Sequence, residues 1–202
     1  PFVHLPNQMI RVYPLRKDYI DDQITGFPLQ VIGHNHGPVF ILKPSTGKLK
    51  PAEWTKRLTY DQDLEIIHPW YYKTTLIEEN VTVEFTPGAK TGMYRFTFPD
   101  NKPHHLILAA NDYKVTDKQI TSFTTFHNDV PVYLYGQFNV NATAGLVADT
   151  LQYLQFPATD KTVTLQYAIS YVSAENAKHL FEKEIKGKDF ETISKSGKEQ
   201  WN

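Results

Sequence analysis

Cysteine is absent from this chain of 202 residues. Its absence excludes disulfides, thiolate metal sites and cysteine nucleophiles, although it leaves the cellular compartment open. Long apolar runs are also absent: the longest, such as residues 39–42 and 106–110, are far too short to cross a bilayer. The chain is nonetheless 41% hydrophobic and 13% aromatic, which suffices to bury a sizeable core in one large domain.

The chain has no excess of charge of either sign. Lys and Arg number 21 against 22 for Asp and Glu, and the formal net charge is −1 at pH 7. No basic run occurs, so nothing favours a nucleic-acid partner or an anionic membrane surface. A Gly-x-Ser-x-Gly elbow, a phosphate-binding glycine loop, a His-Glu-x-x-His motif and an EF-hand loop are all missing. We therefore predict no catalytic residue and no metal site from local motifs.

Alternation of apolar and polar residues dominates the chain up to residue 172. The clearest strand is predicted at 162–172, where Val163, Leu165, Tyr167 and Ile169 alternate with polar or small residues. Further strands are predicted at 8–13, 39–44, 57–62, 71–77, 81–85, 94–98, 105–110, 119–126 and 132–138, and a turn at 112–117. This pattern indicates a mainly β protein, a large antiparallel β-sandwich.

The C-terminal residues change to helical periodicity. Ser173 is predicted to cap one helix, which Gly187 ends, and Asp189 is predicted to open a second. The predicted buried stripes are Ala177, Leu180, Phe181 and Ile185, then Phe190, Ile193, Gly197 and Trp201. The second stripe still continues where the chain stops. We therefore expect a β-sandwich at 1–172 and linker helices at 173–202 that lead to a further helical domain.

Two histidines stand out in the segment GHNHGP at residues 33–38. His34 and His36 would lie on one side of an extended strand, where they could share a metal ion, contact a substrate or form part of a plain loop. Asp21 and Asp22 could complete a metal site only if the fold brought them close. His104 and His105, at the start of a strand, are predicted to be polar surface.

Carboxylates and aromatic rings supply the other candidates. Asp61, Asp63 and Glu65 would share one face of a strand, at a spacing that suits either acid–base chemistry or a solvated face. The aromatic cluster at 68–72 could be a sugar-stacking platform or part of the core. Trp54, in a polar and basic setting, is predicted to be the more exposed ring.

Four segments together resemble the N-terminal domain of glycoside hydrolase family 92, the calcium-dependent exo-acting α-mannosidases. They are residues 19–27 (YIDDQITGF), 69–76 (PWYYKTTL), 83–99 (VEFTPGAKTGMYRFTFP) and 169–201 (ISYVSAENAKHLFEKEIKGKDFETISKSGKEQW). They occur in family order and span most of the chain. The last two are the more specific.

The resemblance implies a supersandwich of the galactose-mutarotase-like kind, packed against a helical catalytic domain beyond residue 202. That domain would carry the catalytic acid, the catalytic base and the calcium, so this segment alone would be inactive. The implied reaction is hydrolysis of a terminal α-mannoside with inversion, in a secreted or periplasmic enzyme. The implied partners are α-mannosides or related glycans and the helical domain of the same chain, with no nucleic acid and no membrane span.

The pocket loops depart from the family pattern. After Gly26 and Phe27 the family usually continues Ser-His-x-His-Leu-Ser-Gly, whereas this chain reads PLQVIG at 28–33. The family run Ser-His-Glu-Asn-Glu reads DQDLE at 61–65, where only Glu65 matches outright. The substrate-binding residues predicted from these loops are Tyr19, Asp22, His34, His36 and Glu65.

Three functional hypotheses stay open on this basis. The chain is the accessory domain of an α-mannosidase-like hydrolase, or a non-catalytic carbohydrate-binding sandwich that uses Trp54 and Trp70. Alternatively, it is a purely structural sandwich that buttresses a partner domain or an oligomer.

Overall fold

The chain folds into two antiparallel sheets packed face to face, followed by two helices. The computed structural model describes residues 2–18, 21–33, 37–109, 112–126 and 129–202. The strands are β1 (Val3–His4), β2 (Arg11–Val12), β3 (Gln23–Ile24), β4 (Phe27–Val31), β5 (Pro38–Thr46), β6 (Leu58–Thr59), β7 (Ile66–His68), β8 (Tyr71–Leu76), β9 (Val81–Pro87), β10 (Thr91–Thr97), β11 (His104–Ala109), β12 (Asp112–Thr116), β13 (Gln119–Phe126), β14 (Val130–Phe138), β15 (Thr143–Val147), β16 (Leu151–Phe156) and β17 (Thr162–Ser170). A 3-10 helix, Pro51–Trp54, precedes β6, and the helices are α1 (Ala174–Glu184) and α2 (Phe190–Trp201).

The larger sheet contains eight strands in the order β12-β13-β14-β17-β10-β9-β8-β7, and the smaller sheet contains five in the order β15-β16-β11-β5-β4. Two short pairs, β1–β2 and β3–β6, flank them. The predicted large antiparallel β-sandwich is confirmed. None of the helices in the described part of the chain is long and apolar enough to span a membrane.

The main core lies between the two sheets and is rich in aromatic rings. Phe85, Tyr94 and Phe96 pack against one another on the face of the larger sheet that lines the core. Two buried tyrosines also bind across the sandwich: the Tyr94 hydroxyl donates to the Pro28 carbonyl at 2.7 Å, and the Tyr167 hydroxyl donates to the Leu29 carbonyl at 2.5 Å. Because a buried hydroxyl without a partner is costly, these bonds fix how β4 sits against the larger sheet.

The helices cover the outer face of the larger sheet. Ala177, Leu180 and Phe181 of α1 and Phe190 and Ile193 of α2 form a second apolar cluster with the sheet. The Ser173 side chain accepts a hydrogen bond from the Asn176 N–H at 3.1 Å, and the Asp189 side chain accepts one from the Thr192 N–H at 2.7 Å. Both predicted N-caps are therefore confirmed, and Gly187 has the left-handed φ of 77° expected of a helix stop.

One predicted turn is a strand. Residues 112–117 were expected to form a turn, but β12 occupies most of them and pairs with β13. Tyr113 and Val115 pack against the core while Lys114 and Thr116 are exposed. A strand at the edge of a sheet tolerates polar residues on its open side, so its composition resembles that of a loop. The turn itself is reduced to the link to β13, with Asp117 at φ 52°.

Candidate functional site

Two of the five predicted substrate-binding residues can be placed. Asp22 lies just before β3, and Glu65 lies just before β7. Tyr19, His34 and His36 lie outside the described residues, so their roles stay predictions.

The three carboxylates at 61, 63 and 65 do not share a strand face. The Asp61 carboxylate accepts a hydrogen bond from the Asp63 backbone N–H at 2.9 Å, and the Glu65 N–H donates to the Gln62 carbonyl at 3.3 Å. Aspartate readily accepts from the N–H two residues on and so favours a turn over a strand. The strand predicted at 57–62 is only β6, Leu58–Thr59, so the three carboxylates do not lie along one strand. Glu65 has contacts different from those of the two aspartates.

Glu65 instead lies in a closed cluster with an arginine and a tyrosine. Its Oε1 atom forms an ion pair with the Arg16 guanidinium and accepts a hydrogen bond of 2.7 Å from the Tyr72 hydroxyl. The side chains of Arg16 and Glu65 are mostly buried, and Tyr72 is buried. Burial raises the pKa of Tyr72 well above its usual value, with the Glu65 carboxylate adding to the rise, so Tyr72 stays a donor. The cluster fixes Glu65 in one place.

Tyr60 connects this cluster to Asp22. The Arg16 guanidinium lies 4.5 Å from the centre of the Tyr60 ring. The Tyr60 backbone N–H donates to the Asp22 carbonyl at 3.3 Å, and the Asp22 residue is exposed. Burial raises the pKa of Tyr60, Arg16 opposes the rise, and the charges of Glu65 and Asp22 add to it. The fold thus brings the two placed residues to one side of the molecule, with Arg16 and Tyr60 between them.

Asp21 has a different role from its neighbour. Its carboxylate pairs with Arg57 at 3.2 Å and accepts from the Gln23 backbone N–H at 3.1 Å. These contacts tie β3 to β6 and leave Asp22 as the solvent-facing member of the pair. An exposed carboxylate beside the Arg16–Glu65 ion pair could accept hydrogen bonds from ligand hydroxyls.

The cluster was not predicted in full. Arg16 and Tyr60 were missed, and Tyr72 was recognised only as part of an aromatic segment. Arg16 and Glu65 are 49 positions apart. A contact of this range leaves no local signature, so only the fold shows it. The Arg16 Nε atom is buried and has no hydrogen-bond partner in the structure.

No group of three or more His, Asp or Glu side chains in the described residues is arranged to hold a metal ion. The described side chains therefore provide no carboxylate cluster of the kind that holds calcium. The histidines at 104 and 105 are buried, which corrects their prediction as polar surface. The His104 ring stacks on the Phe98 ring with 4.6 Å between ring centres, and the His105 ring packs edge-on against the Tyr153 ring with 5.3 Å between centres.

The whole chain resembles solved structures of one enzyme family. It superposes on the family GH92 inverting mannosidase BT2199 from Bacteroides thetaiotaomicron with a TM-score of 0.84 and 20% identity, covering 100% of this chain and 32% of that one. The family GH92 alpha-mannosidase BT3965 from the same organism superposes with a TM-score of 0.80 and 21% identity, covering 100% of this chain and 35% of that one. The GH92 family glycosyl hydrolase ccman5 superposes with a TM-score of 0.81 and 18% identity, covering 100% of this chain and 34% of that one.

The chain thus spans about a third of the length of these solved structures. At these identities the likeness establishes the fold alone. A comparison with curated proteins finds no match. The sequence model described as Glycosyl hydrolase family 92 N-terminal domain matches residues 1–170, which is most of the chain. The chain therefore belongs to the glycosyl hydrolase family 92 N-terminal domain family.

Proposed function

We propose that this chain is the N-terminal domain of an exported, calcium-dependent α-mannosidase that inverts the anomeric centre. The observation that carries the proposal is the family match over residues 1–170, together with solved relatives described as GH92 mannosidases. In this proposal a helical domain of the same protein supplies the catalytic acid, the catalytic base and the calcium. One carboxylic acid protonates the leaving oxygen while a carboxylate activates water on the opposite face of the sugar.

The sandwich acts in this proposal as one wall of the sugar pocket. The Arg16–Glu65–Tyr72 cluster supports the idea, because a carboxylate held by an ion pair and a hydrogen bond needs no rearrangement when a ligand arrives. Asp22 lies on the same side, where it can accept hydrogen bonds from sugar hydroxyls. Tyr19, His34 and His36 are proposed to extend the same wall.

An apolar edge supports contact with a further domain. Ile66 in the edge strand β7 is 40% exposed, and Trp201 at the end of α2 is 38% exposed. The Trp201 indole N–H donates to the His4 carbonyl at 2.9 Å, so the ring is anchored while part of it faces outward. Anchored apolar surface of this kind is typical of interfaces.

The test is an assay of the complete gene product on 4-nitrophenyl α-mannoside, with calcium and with a chelator. We expect turnover that the chelator abolishes and that calcium restores, with the anomeric configuration of the product inverted by NMR. A complete helical domain with calcium bound and no cleavage of any aryl or disaccharide α-mannoside would overturn the proposal.

The proposed role of Glu65 in the wall of the sugar pocket is tested by a separate variant. Glu65→Gln in the complete protein keeps the shape of the side chain and removes its charge, so we expect a KM raised about fivefold with kcat changed much less. The matched control is Asp100→Asn, which alters a carboxylate in an exposed ion pair with Lys161. Equal KM values for wild type and Glu65→Gln would remove Glu65 from the pocket.

A further inference from the structure

A groove lies at one end of the sandwich, and its described lining shares no residue with the Arg16–Glu65–Tyr72 cluster. It sits where β5 and β16 begin and where β11 and β13 end, and its volume is about 710 Å³. The 3-10 helix Pro51–Trp54 forms one side of it, and Trp54 is one of the residues that line the groove. The space is large enough for a short oligosaccharide.

The lining combines an aromatic ring with uncharged polar groups. Thr55, Thr125 and Thr150 are exposed and bring hydroxyl groups to the rim, and Gln152 brings an amide. Val39 and Leu108 belong to the apolar part of the wall. None of the described residues that line the groove is charged. A phosphate or carboxylate ligand would therefore meet no cation among these residues, whereas a neutral ligand loses little on leaving water.

One polar atom in this lining lacks a partner. The Oε1 atom of Gln152 is buried and accepts no hydrogen bond in the structure. An unpaired buried acceptor costs free energy, so a ligand that draws the Gln152 side chain towards the groove and donates to it would recover part of that cost. A hydroxyl group supplies such a donor.

Hydrogen bonds from a buried lysine fix the backbone at Trp54. The Lys43 side chain is buried, and its ammonium group donates to the Trp54 carbonyl at 2.9 Å and also to the Lys56 carbonyl. These bonds fix the backbone that carries the ring, although the ring itself is partly exposed. A pre-positioned ring loses little freedom when a flat apolar ligand face packs on it.

We propose that this groove binds a neutral glycan chain, with one sugar ring stacked on Trp54 and one hydroxyl donating to Gln152 Oε1. The apolar face of a pyranose fits the indole ring, and its hydroxyls match the threonines and the amide. Binding here is separate from hydrolysis: the groove would hold a neighbouring part of the glycan on the protein. The proposal stands independently of whether the complete protein cleaves α-mannosides.

The test is a titration of the ¹⁵N-labelled chain with α-mannotriose, maltotriose and cellotriose, and with trigalacturonate as a charged comparator. The chain has three tryptophans, so its spectrum holds three indole N–H signals. We expect at least one neutral trisaccharide to shift the signal that is missing from Trp54→Phe and to leave the other two in place. Trigalacturonate should cause no shift, because none of the described lining residues is a cation.

Variants measured by calorimetry give the affinities. Trp54→Ala should raise the Kd at least about tenfold, whereas Trp54→Phe keeps an aromatic ring and should stay within about threefold. Gln152→Leu should raise the Kd about fivefold. The same variant should not lower the melting temperature, since it removes an acceptor that has no partner in the free protein.

Two controls locate the effect. Trp70→Ala alters a ring that stacks on His68 near α2, and Asp100→Asn alters an exposed ion pair with Lys161; neither should change the Kd. No shift with any neutral trisaccharide overturns the proposal. So does binding that survives Trp54→Ala.

Discussion

The two outer faces of the sandwich are covered by different kinds of structure. On the larger sheet, α1 and α2 bury Met93, Tyr135 and Ala168 beneath an apolar helix surface. On the smaller sheet, the side chain of Lys43 in β5 donates hydrogen bonds to the end of the 3-10 helix Pro51–Trp54 and to the segment that follows it. Regular helices close the first face, and an irregular segment held by polar bonds covers part of the second.

Polar groups are treated differently on the two faces. At the helix-covered face Arg95 pairs with Glu84 at 2.7 Å and with Glu191 at 2.6 Å, which links the sheet to α2. On the smaller sheet the buried His105 keeps a ring nitrogen, Nδ1, without a partner. The charged side chains on the helix-covered face are thus paired with one another, whereas the smaller sheet buries a histidine with one ring nitrogen unpaired.

The largest effect is expected at the helix-covered face. Phe181 is 0% exposed, and its ring packs edge-on against Tyr135 at 5.0 Å. Phe181→Ala should lower the free energy of unfolding by about 3–5 kcal/mol, because it removes buried apolar surface and leaves a cavity. Urea unfolding measures the change. Val172→Ala, at an exposed position, is the control and should cost less than about 0.5 kcal/mol. Equal costs would mean that α1 is only loosely attached.

A smaller effect is expected from the lysine on the other face. Lys43→Met should lower the free energy of unfolding by about 2 kcal/mol, because two backbone carbonyls lose their donor while a buried charge is also removed. Lys186→Met, at an exposed ion pair with Glu182, is the control and should be nearly neutral. If Lys43→Met proved more stable than wild type, the lysine would not be what secures the Trp54 segment.

The contribution of Lys43 to the free energy of unfolding should also depend on pH. Burial lowers the pKa of Lys43 from 10.5 to about 8 in the folded protein. Between these values the unfolded chain binds more protons than the folded one, so this group makes stability rise as pH increases from about 8 to 10.5. The stability of wild type relative to Lys43→Met should therefore grow between pH 7.5 and 9.5, measured by urea unfolding. A constant difference would contradict the lowered pKa.

Helix capping should have a smaller effect again. Ser173→Ala removes the side-chain acceptor for the Asn176 N–H and should cost about 1 kcal/mol. Ser196→Ala, at an exposed site inside α2, is the matched control and should be neutral or slightly stabilising, since alanine is the better helix former. If the two changes cost the same, the cap would not be what fixes the start of α1.

The helix-covered face was the easier of the two to predict. Its determinants are local: two N-caps, a glycine stop and apolar spacing within a few turns all follow from consecutive residues. The strands β14 and β17 were predicted for the same reason, since their alternation is visible in the chain. By contrast, β4 is buried along its whole length and shows no alternation, so no strand was predicted there.

The candidate site was predicted only in part. Glu65 was selected by resemblance, but its partners Arg16 and Tyr72 come from distant parts of the chain. Trp54 was predicted to be the more exposed ring, but it is half-buried like Trp70, and it lines the groove. Gln152 and Lys43 gave no local signal. Sites assembled from several strands depend on register and sheet order, which short-range patterns do not contain.

His105 offers the finest probe of the contrast between the faces. Burial lowers the pKa of His105, and the neighbouring His104 adds to the lowering, so the folded protein favours the neutral ring. As pH falls below the ordinary value of 6.5, the unfolded chain gains a proton that the folded chain resists. Stability from this group is therefore present above pH 6.5 and is lost as pH falls towards the lowered pKa.

The measurement is thermal unfolding of wild type and His105→Gln between pH 7.5 and 5. Wild type should lose more stability on acidification than His105→Gln, because glutamine carries no titrating group. His179→Gln, which changes an exposed histidine on α1, should follow wild type at every pH. Parallel curves for wild type and His105→Gln would mean that the buried ring accepts a proton without cost. The smaller sheet would then tolerate charge on its outer side, and the contrast with the helix-covered face would rest on packing alone.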